Sequence, residues 1–208
     1  DGETFYQIAS DGGFLSAPIE RRSLFLAPSE RAEILVDFRN SKEPLSLLAS
    51  GREVLSFNFD GTDTDYGEIP ETLAVIDEIP LGSSPNERTF AMQSMGISGT
   101  INGKYFDMDR IDEMVKLGET EIWTITNFGG MMQGLGHPFH VHGTQFQILS
   151  RNGQKPSLAE SGFKDTVFVA VGEEVRVKVR FTHQGVYMDH CHILEHEDNG
   201  MMGQFIVE

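Results

Sequence analysis

Val175-Arg-Val-Lys-Val-Arg180 alternates apolar and charged residues without a break, the period of a strand with one face in a core and one in water. In a helix the same three valines would fall on opposite sides of the axis. From this run the β reading spreads in both directions. Gln204–Val207 lies downstream; Thr166–Val171, Phe146–Leu149, Glu121–Thr126, Val54–Phe59 and Leu45–Leu48 lie upstream. Most are short, rich in Val, Ile, Thr and Phe, and bounded by Gly, Asn or Asp. Residues 20–38 hold two further apolar runs around the turn-like Pro28-Ser29-Glu30. No stretch keeps helical periodicity, and Ser157–Ser161 allows only a short turn of helix. The chain is expected to be all-β, made of β-sandwiches or Greek-key barrels.

Between residues 60 and 88 the pattern lapses. Asp60-Gly-Thr-Asp-Thr-Asp-Tyr66-Gly67 is polar, and Ile79-Pro-Leu-Gly-Ser-Ser-Pro-Asn86 has linker composition. The acidic stretch lacks the ordered ligand spacing of a calcium loop and reads as a solvated loop. A boundary is expected at 80–88, dividing residues 1–80 from 89–208. The first part enters directly into mid-domain sequence and is short, either a small sandwich or the back of a larger one.

At 208 residues the chain can bury one large or two modest cores. No apolar run is long enough to span a bilayer, and no leader is visible, although the chain opens at Asp1 without Met. A net charge of −16 disfavours nucleic acid and anionic membrane as partners, since both repel an acidic surface. The lone cysteine excludes an internal disulfide and leaves the compartment open.

Of seven histidines, six fall in two tight groups, His137-Pro-Phe-His140-Val-His142 and His190-Cys191-His192-Ile-Leu-Glu-His196-Glu197-Asp-Asn-Gly-Met201-Met202. On an extended strand His140 and His142 share a face; His190 and His192 do likewise, and Cys191 faces the other way. A His-Cys-His strand thus offers imidazoles to one metal site and a thiolate to a second, with the backbone as a short electron path between them. His137, ahead of a proline, is free to join the thiolate side. His196 lies five residues past Cys191 and Met201 ten, with a turn at Asn199-Gly200 to bring the chain back. Two imidazoles, one thiolate and a weak thioether make the donor set of a blue-copper site. Zinc prefers four strong tetrahedral ligands, and iron–sulfur clusters need more cysteines. Met202 competes with Met201 for the thioether place. Met131 and Met132 read as packing or rim residues. His183 stands alone and reads as an ordinary hydrogen-bonded core histidine.

At these residues the sequence resembles the multicopper oxidases, particularly bacterial laccases and copper-efflux oxidases. The resemblance runs through HPFHVHGTQFQIL, GFKDTVFV and HCHILEHEDNGMMGQF, and more loosely through INGKYFDMDRID and WTITN. LFLAPSERAEILVDF is similar to the family's middle cupredoxin domain, so the resemblance covers essentially the whole chain. It implies cupredoxin-like domains, copper as cofactor, and a laccase-like oxidase that couples one-electron oxidations to reduction of dioxygen to water. His137, Cys191, His196 and Met201 match the type 1 copper ligands. His140, His142, His190 and His192 match ligands of the trinuclear copper cluster. Glu197 matches an acidic residue implicated in proton delivery, its alternative being a surface carboxylate. Asp165 is expected to fix a loop.

The family's cluster takes eight histidines, and this chain supplies four. The others belong to two His-x-His motifs of an N-terminal cupredoxin domain, and no histidine occurs before His137. The resemblance therefore implies part of the second domain and the third domain of a three-domain enzyme, partnered by the missing N-terminal domain. Implied reductants are phenols, aromatic amines or metal ions, with a secreted, periplasmic or cell-envelope setting. The alternative is a type 1 copper electron-transfer or copper-binding module without oxidase activity.

Overall fold

The structure is a computed structural model that describes residues 2–39, 41, 43–59, 67–129 and 135–208. Asp60–Tyr66 of the acidic stretch, and Met131 and Met132, lie outside the described residues. The all-β expectation holds. Strands β1 (Phe5–Ser10), β2 (Gly13–Arg21) and β3 (Glu33–Val36) form a sheet in the order β2-β1-β3; β4 (Leu45–Ala49) and β5 (Arg52–Phe57) form a hairpin. The C-terminal part contains β6 (Asn86–Met95), β7 (Ser98–Ile101), β8 (Glu113–Val115), β9 (Thr120–Asn127), β10 (His137–Val141) and β11 (Phe146–Arg151). It continues with β12 (Thr166–Val169), β13 (Glu174–Arg180), β14 (Gly185–Cys191), a single helical turn α1 (Leu194–Asp198) and β15 (Met202–Val207).

These strands make two five-stranded sheets, β12-β10-β14-β15-β8 and β11-β13-β9-β6-β7. The Val175–Arg180 alternation is realised in β13, whose valines are buried. Trp123, Phe90, Phe139, Phe181 and Phe205 fill the core, with Trp123 and Phe205 edge-on at 5.4 Å and Phe90 and Phe139 at 5.3 Å. Burying such rings stabilises the sandwich by about 3 kcal/mol or more apiece, judged from truncation to alanine.

Local differences from the sequence reading have physical causes. The Pro28-Ser29 turn forms, with Ser29 at φ 65° and Glu30 N–H donating to Ala27 O at 3.0 Å. The Leu24-Phe-Leu26 run beside it is not a strand: Phe25 and Leu26 are exposed, and Phe25 packs edge-on against Phe168. β6 begins inside the expected linker, where its parallel pairing with β9 overrides linker composition. Ahead of it, Ile79 is buried and its N–H donates to Gln147 Oε1 at 2.7 Å. Ser157–Ser161 does carry a short 3-10 turn.

Candidate metal centre

β14 lies between β10 and β15, and the register brings the chemistry-bearing residues together. His140 is directly opposite His190, and Phe139 is opposite Cys191; on the far side His190 is opposite Met202. Directly opposed residues share a face, so alternation puts His190 and Met202 on one side of the sheet and Cys191 on the core side. β12 extends the row, with Thr166 opposite His140.

On the core side, Cys191 Sγ lies 3.6 Å from His137 Nδ1 and 3.7 Å from His196 Nδ1, and all three residues are almost fully buried. Helical turn α1, absent from the sequence reading, brings His196 back over Cys191. Met201 follows: its N–H donates to His196 O at 2.9 Å and its O accepts from Cys191 N–H at 3.1 Å. Met201 is fully buried, and β7 packs so closely on it that a Cβ at Gly99 would overlap its Sδ. Met202, opposite His190, points to the other face. Gly200, at φ +89°, supplies the return turn after Asn199 in the left-handed region that favours glycine.

Hydrogen bonds fix the imidazole tautomers, because a carbonyl can only accept. His196 Nε2–H donates to Gly96 O at 3.1 Å, leaving the Nδ1 lone pair aimed at Cys191. Burial pushes His137 down to about 4, with His196 adding to the effect, so its ring is neutral. Burial likewise pushes the Cys191 thiol up to about 12; a bound cation reverses that preference and takes the thiolate.

On the opposite face, His140, His142, His190 and His192 form a quartet. Ring centroids are 5.0 Å apart for His140–His142, 5.2 Å for His140–His190 and 5.1 Å for His190–His192. His140 Nδ1–H is shared between Asp165 O and Thr166 Oγ1, both at 2.9 Å, and His190 Nδ1–H donates to Cys191 O at 3.1 Å. Nε2 of His190 then faces Nε2 of His142 at 3.0 Å. Two imidazole nitrogens so close are the arrangement a shared cation satisfies. Burial pushes His190 down to about 4; desolvation among the packed rings, with His140 and His192 adding to it, lowers His142 even at its exposed position, and both stay available as neutral donors.

Glu197, on α1, lies beside the quartet. Its Oε2 lies 3.4 Å from His190 Nδ1 and 3.9 Å from His192 Nδ1 and is buried without a hydrogen bond. That placement is not the one a solvated surface carboxylate takes. His183 is no core residue: it is exposed on the loop after β13, hydrogen-bonded to Thr182, at the rim of a cavity of about 550 Å3 that also contains His140 and His142. Composition offers no signal for three other participants: Thr166 beneath His140, Gly96 accepting from His196, and Gly99 against Met201. Asp165, expected to fix a loop, also contacts His140, a contact created by the strand register.

The chain matches the multicopper oxidase family model over residues 78–208. The multicopper oxidase mco of Staphylococcus epidermidis is 39% identical over 100% of this chain and 44% of its own length. A laccase of Bacillus stratosphericus is 32% identical over 96% of this chain and 46% of its own. Among solved structures, a multicopper oxidase from Pediococcus acidilactici superposes with a TM-score of 0.94 at 37% identity, covering 99% of this chain and 44% of that one. The chain belongs to the multicopper oxidase family, and its sandwich is cupredoxin-like. It spans less than half the length of the curated relatives above. Copper is the family's cofactor, and the soft thiolate, the lone pairs fixed by hydrogen bonding and the facing Nε2 pair are donors that suit it.

Proposed function

We propose that residues 1–208 are the copper-bearing C-terminal part of a laccase-like oxidase. The parent protein couples four one-electron oxidations of a small reductant to reduction of dioxygen to water. The observation that carries this reading is the division of β14: Cys191 joins His137 and His196 on one face, and His190 joins His140 and His142 on the other. Residues 1–80 belong to a middle cupredoxin domain, and the C-terminal one begins with β6 at Asn86, inside the 80–88 stretch expected as linker.

His137, Cys191, His196 and Met201 would hold the type 1 copper. His140, His142, His190 and His192 would supply half of a trinuclear cluster. Copper held there would supply one-electron redox chemistry at the first site and oxygen chemistry at the second. Cys191 is covalently continuous with His190 and His192, so the protein provides a short through-bond path between the sites. Burial of His137, Cys191 and Met201 keeps water from that site. Glu197 is placed to hold a proton beside His190 and His192. His142 is exposed at the open cavity, where an N-terminal cupredoxin domain with its own histidines would complete the cluster. Phenols, aromatic amines and metal ions are the candidate reductants.

The test is oxygen uptake by the parent protein with a phenol as donor, with hydrogen peroxide assayed alongside. The reading expects uptake without peroxide, abolished by Cys191→Ser. A protein with one blue copper and no oxygen uptake is an electron-transfer module, and the reading falls.

A further inference from the structure

The hydrogen bonds that orient His140 lead out of its own sheet. Its Nδ1–H is shared between Asp165 O and Thr166 Oγ1, and Thr166 Oγ1–H in turn donates to Asp165 Oδ1 at 2.9 Å. The direction of that chain is set by the far side of Asp165. Arg31, beyond the Pro28-Ser29 turn of the N-terminal part, donates Nη1–H to Oδ1 and Nη2–H to Oδ2, each at 2.6 Å. Such a two-pronged pair fixes both oxygens of the carboxylate in plane.

Arg31 is itself held. Its side chain donates to Ser29 O at 2.8 Å and Asp11 O at 3.0 Å, and its backbone N–H donates to Asp11 Oδ1 at 2.7 Å. Beside it, Lys164 Nζ lies 2.9 Å from Asp11 Oδ2 and 3.4 Å from Glu30 Oε1, with all three side chains largely buried. Gly12 N–H and Ser10 Oγ–H both donate to Phe163 O at 2.9 Å. The β1–β2 turn thus grips residues 163–165, and the grip ends on the His140 imidazole of the quartet.

We propose that Arg31 is a positioning residue for His140, acting through Asp165 and Thr166 across the junction between the two parts of the chain. With the carboxylate pinned, Thr166 accepts from Nδ1–H and the Nε2 lone pair of His140 stays aimed at the quartet. Once Arg31 is removed, Asp165 is free to turn, the Thr166 hydroxyl loses its fixed acceptor, and the ring loses its preferred orientation. The inference rests on the trinuclear role of His140 proposed above. Losing such an outer hydrogen bond weakens metal binding by about 10-fold or more.

The experiment uses the parent protein and compares Arg31→Gln, Arg31→Lys, Thr166→Val and, as control, Glu30→Gln. Glu30→Gln loosens the same junction without touching Asp165. Copper is counted per chain, the blue absorption reports the type 1 site, and electron paramagnetic resonance reports the cluster's type 2 signal. Arg31→Gln and Thr166→Val are expected to hold cluster copper about 10-fold more weakly, with an altered type 2 signal and an unchanged blue band. Arg31→Lys, keeping the charge without the fork, is expected to recover only part of the loss. Should Arg31→Gln fail to fold, Thr166→Val decides alone. Wild-type cluster signals in Thr166→Val, or equal damage from Glu30→Gln, would overturn the proposal while leaving the oxidase reading intact. A wild-type parent protein that takes up no copper would overturn that reading and this inference with it.

Discussion

Replacing Gly99 with alanine probes the packing that holds Met201 in place. A Cβ at position 99 would overlap Met201 Sδ and lie 2.9 Å from its Cγ and 3.1 Å from its Cβ. Met201 has no exposed surface to retreat into, since it is buried between β7, α1 and β14. Overpacking of this kind costs about 1–3 kcal/mol, or a Tm about 2–12 °C lower for a chain of this size. Met201→Ala alone leaves a cavity and costs about 2–5 kcal/mol. In the double variant the new methyl group occupies part of the vacated space. The combined cost should therefore fall short of the sum by about 1–3 kcal/mol. Unfolding of the copper-free protein in denaturant measures this, with the fluorescence of Trp123, the chain's lone tryptophan, reporting on the sandwich core. Additivity within about 0.5 kcal/mol would show that Gly99 and Met201 do not touch, and the placement of Met201 would be wrong.

Met201→Leu should keep the blue absorption and raise the reduction potential in a redox titration, because a weak donor is removed from the site; an unchanged potential would return Met202 to consideration. Glu121 is nearly buried; burial pushes its carboxyl up, but hydrogen bonds from Arg88, Trp123 and Asn86 outweigh this and hold it below its ordinary value. A lowered folded-state value stabilises above the unfolded value and is lost as pH falls through the folded one. Glu121→Gln should therefore cost about 1–3 kcal/mol at neutral pH, the gap to wild type closing on acidification below about 4 in pH-dependent thermal melts. Chelating copper should lower Tm, since the folded state alone presents His137, Cys191 and His196 together; identical melts with and without copper would contradict folded-state binding.

The sequence made the sandwich legible where one strand face is apolar and the other charged, as in Val175–Arg180, and illegible where neither face is. β14 reads Gly-Val-Tyr-Met-Asp-His-Cys because one face meets the core and the other meets metal-binding groups, so hydropathy does not alternate. β6 and β8 depend on parallel pairing with β9 and β15, partners distant in sequence that no local signal announces. α1 is too short for a helical period to show, yet with the Gly200 turn it returns His196 and Met201 to Cys191. The candidate metal residues were legible because strand alternation at His190-Cys191-His192 dictates faces directly. The groups that orient them were not: Gly96, Thr166 and Arg31 act through single hydrogen bonds created by tertiary register.

The central claim is that β14 serves two copper sites from its two faces. Spectroscopy on copper-loaded Cys191→Ser and His142→Ala variants of the parent protein tests it most directly. Cys191→Ser should abolish the blue absorption and keep the type 2 resonance, while His142→Ala should disturb the cluster and leave the blue band intact. Loss of the same signal in both variants would contradict the division of the strand.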